Sequence, residues 1–132
     1  MARHIFIRAV LFAAFLAACT PAPGPESPPE PSAVQPKGYI LAEISVTNPD
    51  AYQDYLALVT PMVETFGGTY IVRAGRSETP EGTPPVGRVV LLEFASYDAA
   101  RAFYHAPEYQ AILPMRTDNA TARIVILEGT AL

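Results

Sequence analysis

Seven prolines fall within the seventeen residues "TPAPGPESPPEPSAVQP", positions 20–36. Proline lacks a backbone N–H and locks φ, so this stretch can enter neither a strand ladder nor a helix interior. It divides the chain of 132 residues into two parts with separate fates. Whatever folds must begin near Lys37, and residues 37–132 are enough for one domain with one core. The stretch itself reads as an extended, solvated tether. At ~3.1 Å per residue it spans up to roughly 50 Å.

Ahead of the tether stands "MARHIFIRAVLFAAFLAAC". Arg3 and Arg8 supply a positive region, and Ala9 to Leu16 form an apolar run too short to span a bilayer comfortably. These are the parts of a secretory signal. An ordinary cleaved leader would leave Cys19 incidental. A second reading starts from "LAAC", residues 16–19, which resembles the lipobox of bacterial lipoproteins. That resemblance implies a diacylglyceryl group on the Cys19 sulfur, cleavage before Cys19, and acylation of its new amino group. Cys19 is the only cysteine, so no intramolecular disulfide competes for it. Several acyl chains hold a protein where one holds it only marginally. We therefore expect residues 1–18 to be a lipoprotein signal peptide and residues 19–36 a tether on lipidated Cys19. The resemblance further implies a bacterial cell envelope. Because Thr20 stands where retention in the inner membrane is associated with Asp, a host with two membranes would carry the protein on the periplasmic face of the outer one.

Charge narrows the partners. The formal net charge is −4, and losing Arg3 and Arg8 with the leader takes it to about −6. Only Lys37 and six scattered arginines remain. Phosphate neutralisation needs clustered Lys and Arg, so nucleic acid is not expected as a partner.

Beyond the tether the pattern alternates between strand and helix periods. "KGYILAEISVT" (37–47) is a strand with Ile40, Ala42, Ile44 and Val46 on one face. Tyr39, Leu41, Glu43 and Ser45 take the other. Asn48 caps a helix with Pro49 in its first turn, and Tyr52, Tyr55, Val59, Met62, Val63 and Phe66 form its apolar stripe. Pro61 should bend this helix, and Gly67-Gly68 end it. "TYIVRAG" (69–75) and "RVVLLEFA" (88–95) are further strands. Ser96 caps a short helix through His105. Pro107 opens another helical piece, interrupted by Pro114, and "ARIVILEG" (122–129) is the last strand. The order βαββαβ implies an α+β ferredoxin-like sandwich over 37–132, with helices on one face of a four-stranded antiparallel sheet.

With these pieces in place, "FGGTYIVRAG", "LEF" and "PEYQ" resemble the domain of unknown function numbered 1330, over Lys37 to Gly129. The resemblance implies membership of the dimeric α/β-barrel superfamily, in which two ferredoxin-like sheets pack face to face. It therefore implies a homodimer. It carries no agreed reaction and no catalytic residues. Ala106 stands where relatives often have a helix-capping Ser.

Candidate chemistry is sparse. Glu43 and Glu93 fall on the strand face away from the helices, and as neighbours they could share a proton. The alternative is an ion-pair network with Arg73 or Arg123. His105, the only histidine beyond the leader, has no second His or Cys beside it and reads as a helix-end contact. Tyr104, Tyr109 and Arg116 join it as candidates for a ligand pocket. No metal site and no cofactor are expected. The reading is a lipid-anchored, dimeric module that binds a small molecule or a partner. The alternative is a cofactor-independent enzyme of the monooxygenase or isomerase type.

Overall fold

Strand alternation and helix stripes assemble into the expected sandwich in a computed structural model that describes residues 34–131. Cys19, the leader and most of the tether lie outside the described residues. The elements are β1 (Gly38–Val46), α1 (Pro49–Thr65), β2 (Thr69–Arg73), β3 (Arg88–Phe94), α2 (Tyr97–His105), α3 (Pro107–Thr117) and β4 (Ala120–Glu128). The sheet is antiparallel in the order β2-β3-β1-β4. This is the ferredoxin-like α+β fold. Among the described residues no helix is long and apolar enough to cross a membrane.

Helix boundaries follow from local chemistry. The Asn48 side chain accepts the Ala51 N–H, and the Ser96 hydroxyl accepts the Ala99 N–H at 3.1 Å. At the end of α1 the Gly67 N–H donates to Glu64 and the Gly68 N–H to Val63. Gly67 has φ of 74°, a left-handed turn that only glycine adopts without strain. Ala106 offers no side-chain bond to α3, in keeping with the missing Ser.

Two expectations need correcting. Pro114 does not interrupt α3, which continues to Thr117. Residue 114 is well inside the helix, where the missing N–H costs one bond but the flanking turns still pack. Strand β4 begins at Ala120 rather than residue 122, because Val46 pairs with Ala120 and extends the ladder.

Between sheet and helices lies the core. Ile40, Ala42, Ile44, Leu92 and Phe94 come from the sheet, Tyr52, Tyr55, Val59 and Val63 from α1, and Ala100, Phe103 and Tyr109 from the following helices. Phe103 is 2% exposed, and its ring meets those of Tyr109, Phe94 and Phe66 at centroid distances of 4.9, 5.3 and 5.6 Å. The core is complete within this one compact unit.

On the opposite face of the sheet, the register sets Val72, Leu91, Leu41 and Val125 in a row across all four strands. Polar rows flank this apolar band. Glu93 pairs with Tyr39 on one side, and Val89, Glu43 and Arg123 line up on the other.

Candidate functional site

Strand β2 carries an irregularity with a functional consequence. Its pairing with β3 runs Thr69↔Glu93 and Tyr70↔Leu92, then resumes at Val72↔Leu91 and Arg73↔Val90. One residue, Ile71, is extra. Such a bulge reverses the alternation beyond it. Simple alternation places Arg73 with Thr69 and Ile71 on the face that carries Glu43 and Glu93. The bulge turns it instead to the helix side, in register with Val90 and Ala42. There Arg73 donates to the Thr60 hydroxyl at 2.8 Å and lies 4.4 Å from the centre of the Tyr70 ring. Ala74 follows at φ 52°, a conformation costly for a residue with a Cβ.

Arg73 thereby reaches the rim of a cleft of about 60 Å³ between sheet and helices. Arg88, half-buried on β3, enters the same cleft from the neighbouring row, opposite Ile44. Arg116 enters from the last turn of α3 and is 5% exposed. The small side chain of Ala42 in the floor leaves the space that the three arginines approach. Tyr52, Tyr55, Tyr70, Tyr104 and Tyr109 line it as well, and no carboxylate does.

Arg116 decides the character of this cleft. Its Nε is wholly buried and has no hydrogen-bond partner, and the guanidinium has no salt bridge among the described residues. A guanidinium cannot shed its proton at any ordinary pH. Nε is the one guanidinium nitrogen that is both sealed from solvent and without an acceptor, and a charged donor left in that state is costly. Around it, burial pushes the hydroxyls of Tyr52 and Tyr55 above their ordinary range, while the Arg116 charge pulls both the other way. The hydroxyls of Tyr55 and Tyr109 sit 3.3 Å apart and satisfy one another. The cleft is thus apolar, phenol-lined and net positive.

The other candidates stand elsewhere. Glu43 and Glu93 do share the outer face, but the register sets them four residues apart, roughly 13 Å along the strands. They do not form a carboxylate pair. Glu43 takes a bidentate contact from Arg123, with Nη2 at 2.6 Å and Nε at 3.2 Å, and this bond holds its carboxyl below the usual range. Glu93 accepts from the Tyr39 hydroxyl at 3.2 Å and lies 3.8 Å from the Lys37 amine. Both carboxylates belong to surface ion pairs, and Arg73 joins neither. His105 is exposed at the end of α2, in a shallow open depression with Asp98 and Arg101. It does not meet the cleft. Of the residues singled out in the sequence, Arg73, Tyr104, Tyr109 and Arg116 come together. Arg88, Tyr52, Tyr55 and Tyr70 complete the set, and sequence reasoning passed over them. The signal for Arg88 was available: it alternates in phase with Val90, Leu92 and Phe94 and so must face the helices.

Fold and site together define a ferredoxin-like domain with a small cationic, tyrosine-lined cleft between its sheet and helices. The chain belongs to the family described as "Domain of unknown function (DUF1330)", which matches residues 37–130. Among solved structures it is similar to the RPA0582 protein of unknown function from Rhodopseudomonas palustris. That likeness has 17% identity, covers 73% of this chain and 84% of that one, and has a TM-score of 0.58. A methylated form of RPA0582 gives 19% identity, coverage of 73% and 82%, and a TM-score of 0.55. A more distant likeness is to SnoaB, a cofactor-independent oxygenase from Streptomyces nogalater. Its identity is 11%, its coverage 74% of this chain and 96% of that one, and its TM-score 0.45. The two RPA0582 likenesses carry the fold and no reaction. No curated protein matches the chain at a significant level.

Proposed function

We propose that this protein is a lipid-anchored, homodimeric module of the bacterial cell envelope that binds a small molecule in the cleft between sheet and helices. The observation that carries the binding reading is the buried, unpartnered Arg116 facing a cleft with no carboxylate. Stable folds seldom retain an unpaired buried polar group without a use for it. The size of the cleft, about 60 Å³, limits the ligand to a few heavy atoms, since pockets for drug-sized molecules run to ~300–1,000 Å³. Native mass spectrometry of the protein purified from its own host is expected to show a discrete small adduct on each chain. A bare polypeptide mass, together with no thermal shift from any small-molecule panel, would end the binding reading.

Membrane anchorage rests on "LAAC" after a short apolar run and on the proline-rich tether beyond it. Cys19→Ser is expected to move the protein from the membrane fraction to the soluble one, or to block processing. A variant that stays membrane-bound and is cleaved normally would exclude lipidation at Cys19. The homodimer is supported by the apolar band Val72–Leu91–Leu41–Val125 on the face opposite the helices.

A further inference from the structure

We infer that the ligand of the cleft is a short-chain monocarboxylate, its carboxylate held by Arg116 with Arg88 and its hydrocarbon tail laid against the aliphatic floor. The inference rests on the binding reading above and specifies the chemistry of the ligand. Three guanidinium groups converge on the cleft, from β2, β3 and α3, and its lining holds no acidic side chain to balance them. Arg73 is already engaged with Thr60 and the Tyr70 ring. Arg116 lines the cleft, is engaged with nothing charged among the described residues, and keeps a sealed Nε without an acceptor. An arginine fork presents parallel N–H donors spaced for the two oxygens of a carboxylate.

Tail and size follow from the rest of the lining. Ile40, Ile44, Val59, Leu92 and Ile124 supply an apolar wall that would reward carbon and would gain nothing from a fully hydrated anion. A volume of about 60 Å³ holds a few heavy atoms, which suits an acid of two to four carbons. Inorganic phosphate could meet the arginines, but it would set its remaining oxygens against aliphatic carbon. Their desolvation would go uncompensated. The tyrosine hydroxyls can donate to a carboxylate oxygen, and burial keeps those of Tyr52 and Tyr55 protonated.

The test is isothermal titration of the full chain in a non-ionic detergent with sodium formate, acetate, propionate, butyrate and phosphate at matched ionic strength. Propionate or acetate should bind one per chain. Phosphate should neither bind nor compete. Arg116→Met should weaken binding by about tenfold or more, the size expected for a lost charge-assisted hydrogen bond. Arg116→Lys, which keeps the charge but not the fork, should recover only part of it. If Arg116→Met does not fold, Arg88→Met, at a half-exposed position, should still weaken binding in the same direction. Carboxylates that give no heat, phosphate that binds as well as propionate, or folded arginine variants with unchanged affinity would each overturn the inference. A neutral adduct found by native mass spectrometry, with no carboxylate binding, would leave the binding module standing and remove only its proposed ligand.

Discussion

Replacing Phe103 by alanine is expected to destabilise the domain by about 3–5 kcal/mol, measured by urea unfolding. The ring is buried in the core and meets three other aromatic rings: Phe66 just past the end of α1, Phe94 on β3 and Tyr109 on α3. Removing it would open a cavity that four separate elements would have to collapse to fill. Each lost aromatic pair adds about 0.5–1.5 kcal/mol beyond the lost area. Two residues further along α2, His105→Ala should change stability by less than about 1 kcal/mol, the worth of a favourable helix-end charge. His105 is exposed, and its ring stands at right angles to that of Tyr104 at a centroid distance of 5.4 Å. Comparable losses at the two positions would mean that the histidine belongs to a buried network, and that this account of α2 is wrong.

If two copies pair through their sheets as proposed, Leu91→Arg should leave the protein a monomer. Leu91 stands on a central strand, directly opposite Leu41 on the other, in the middle of the apolar band. A sheet face carrying such a band needs a cover, because monomers rarely leave contiguous apolar surface of that extent in water. Pairing two copies face to face would bury the arginine against its symmetry mate, and like charges with no counter-ion cannot be desolvated cheaply. Sedimentation of residues 37–132 at micromolar concentration separates the outcomes. The unmodified domain should run at twice the chain mass and the variant at the chain mass, with unchanged circular dichroism. A monomeric unmodified domain would exclude the sheet-to-sheet dimer.

The two βαβ halves were legible because their signals are local. Alternation marked β1 and β3, the stripe from Tyr52 to Phe66 marked α1, and Asn48, Ser96 and Gly67 marked helix ends by chemistry that involves only a few adjacent residues. Pro107 marked the break between α2 and α3 for the same reason. Site residues were legible only in part. Tyr109 and Arg116 share a helical face seven residues apart, so their joint direction could be read from the 3.6-residue period. Glu43 and Glu93 could be placed on a common face, yet their separation along that face depends on strand register.

Periodicity determined which faces exist, and hence the fold class and the core face of each element. Tertiary structure alone decided which side chains meet. A one-residue bulge at Ile71 sends Arg73 from the outer face to the cleft, and no local propensity announces it, because a bulge is a property of two strands. The β1–β3 register separates Glu43 from Glu93 and gives each its own cation. The packing of α3 against α1 and β4 seals the Arg116 Nε without an acceptor in a residue that lines the same cleft as Arg88. That is a relation between residues far apart in sequence, and it exists only once the chain has packed.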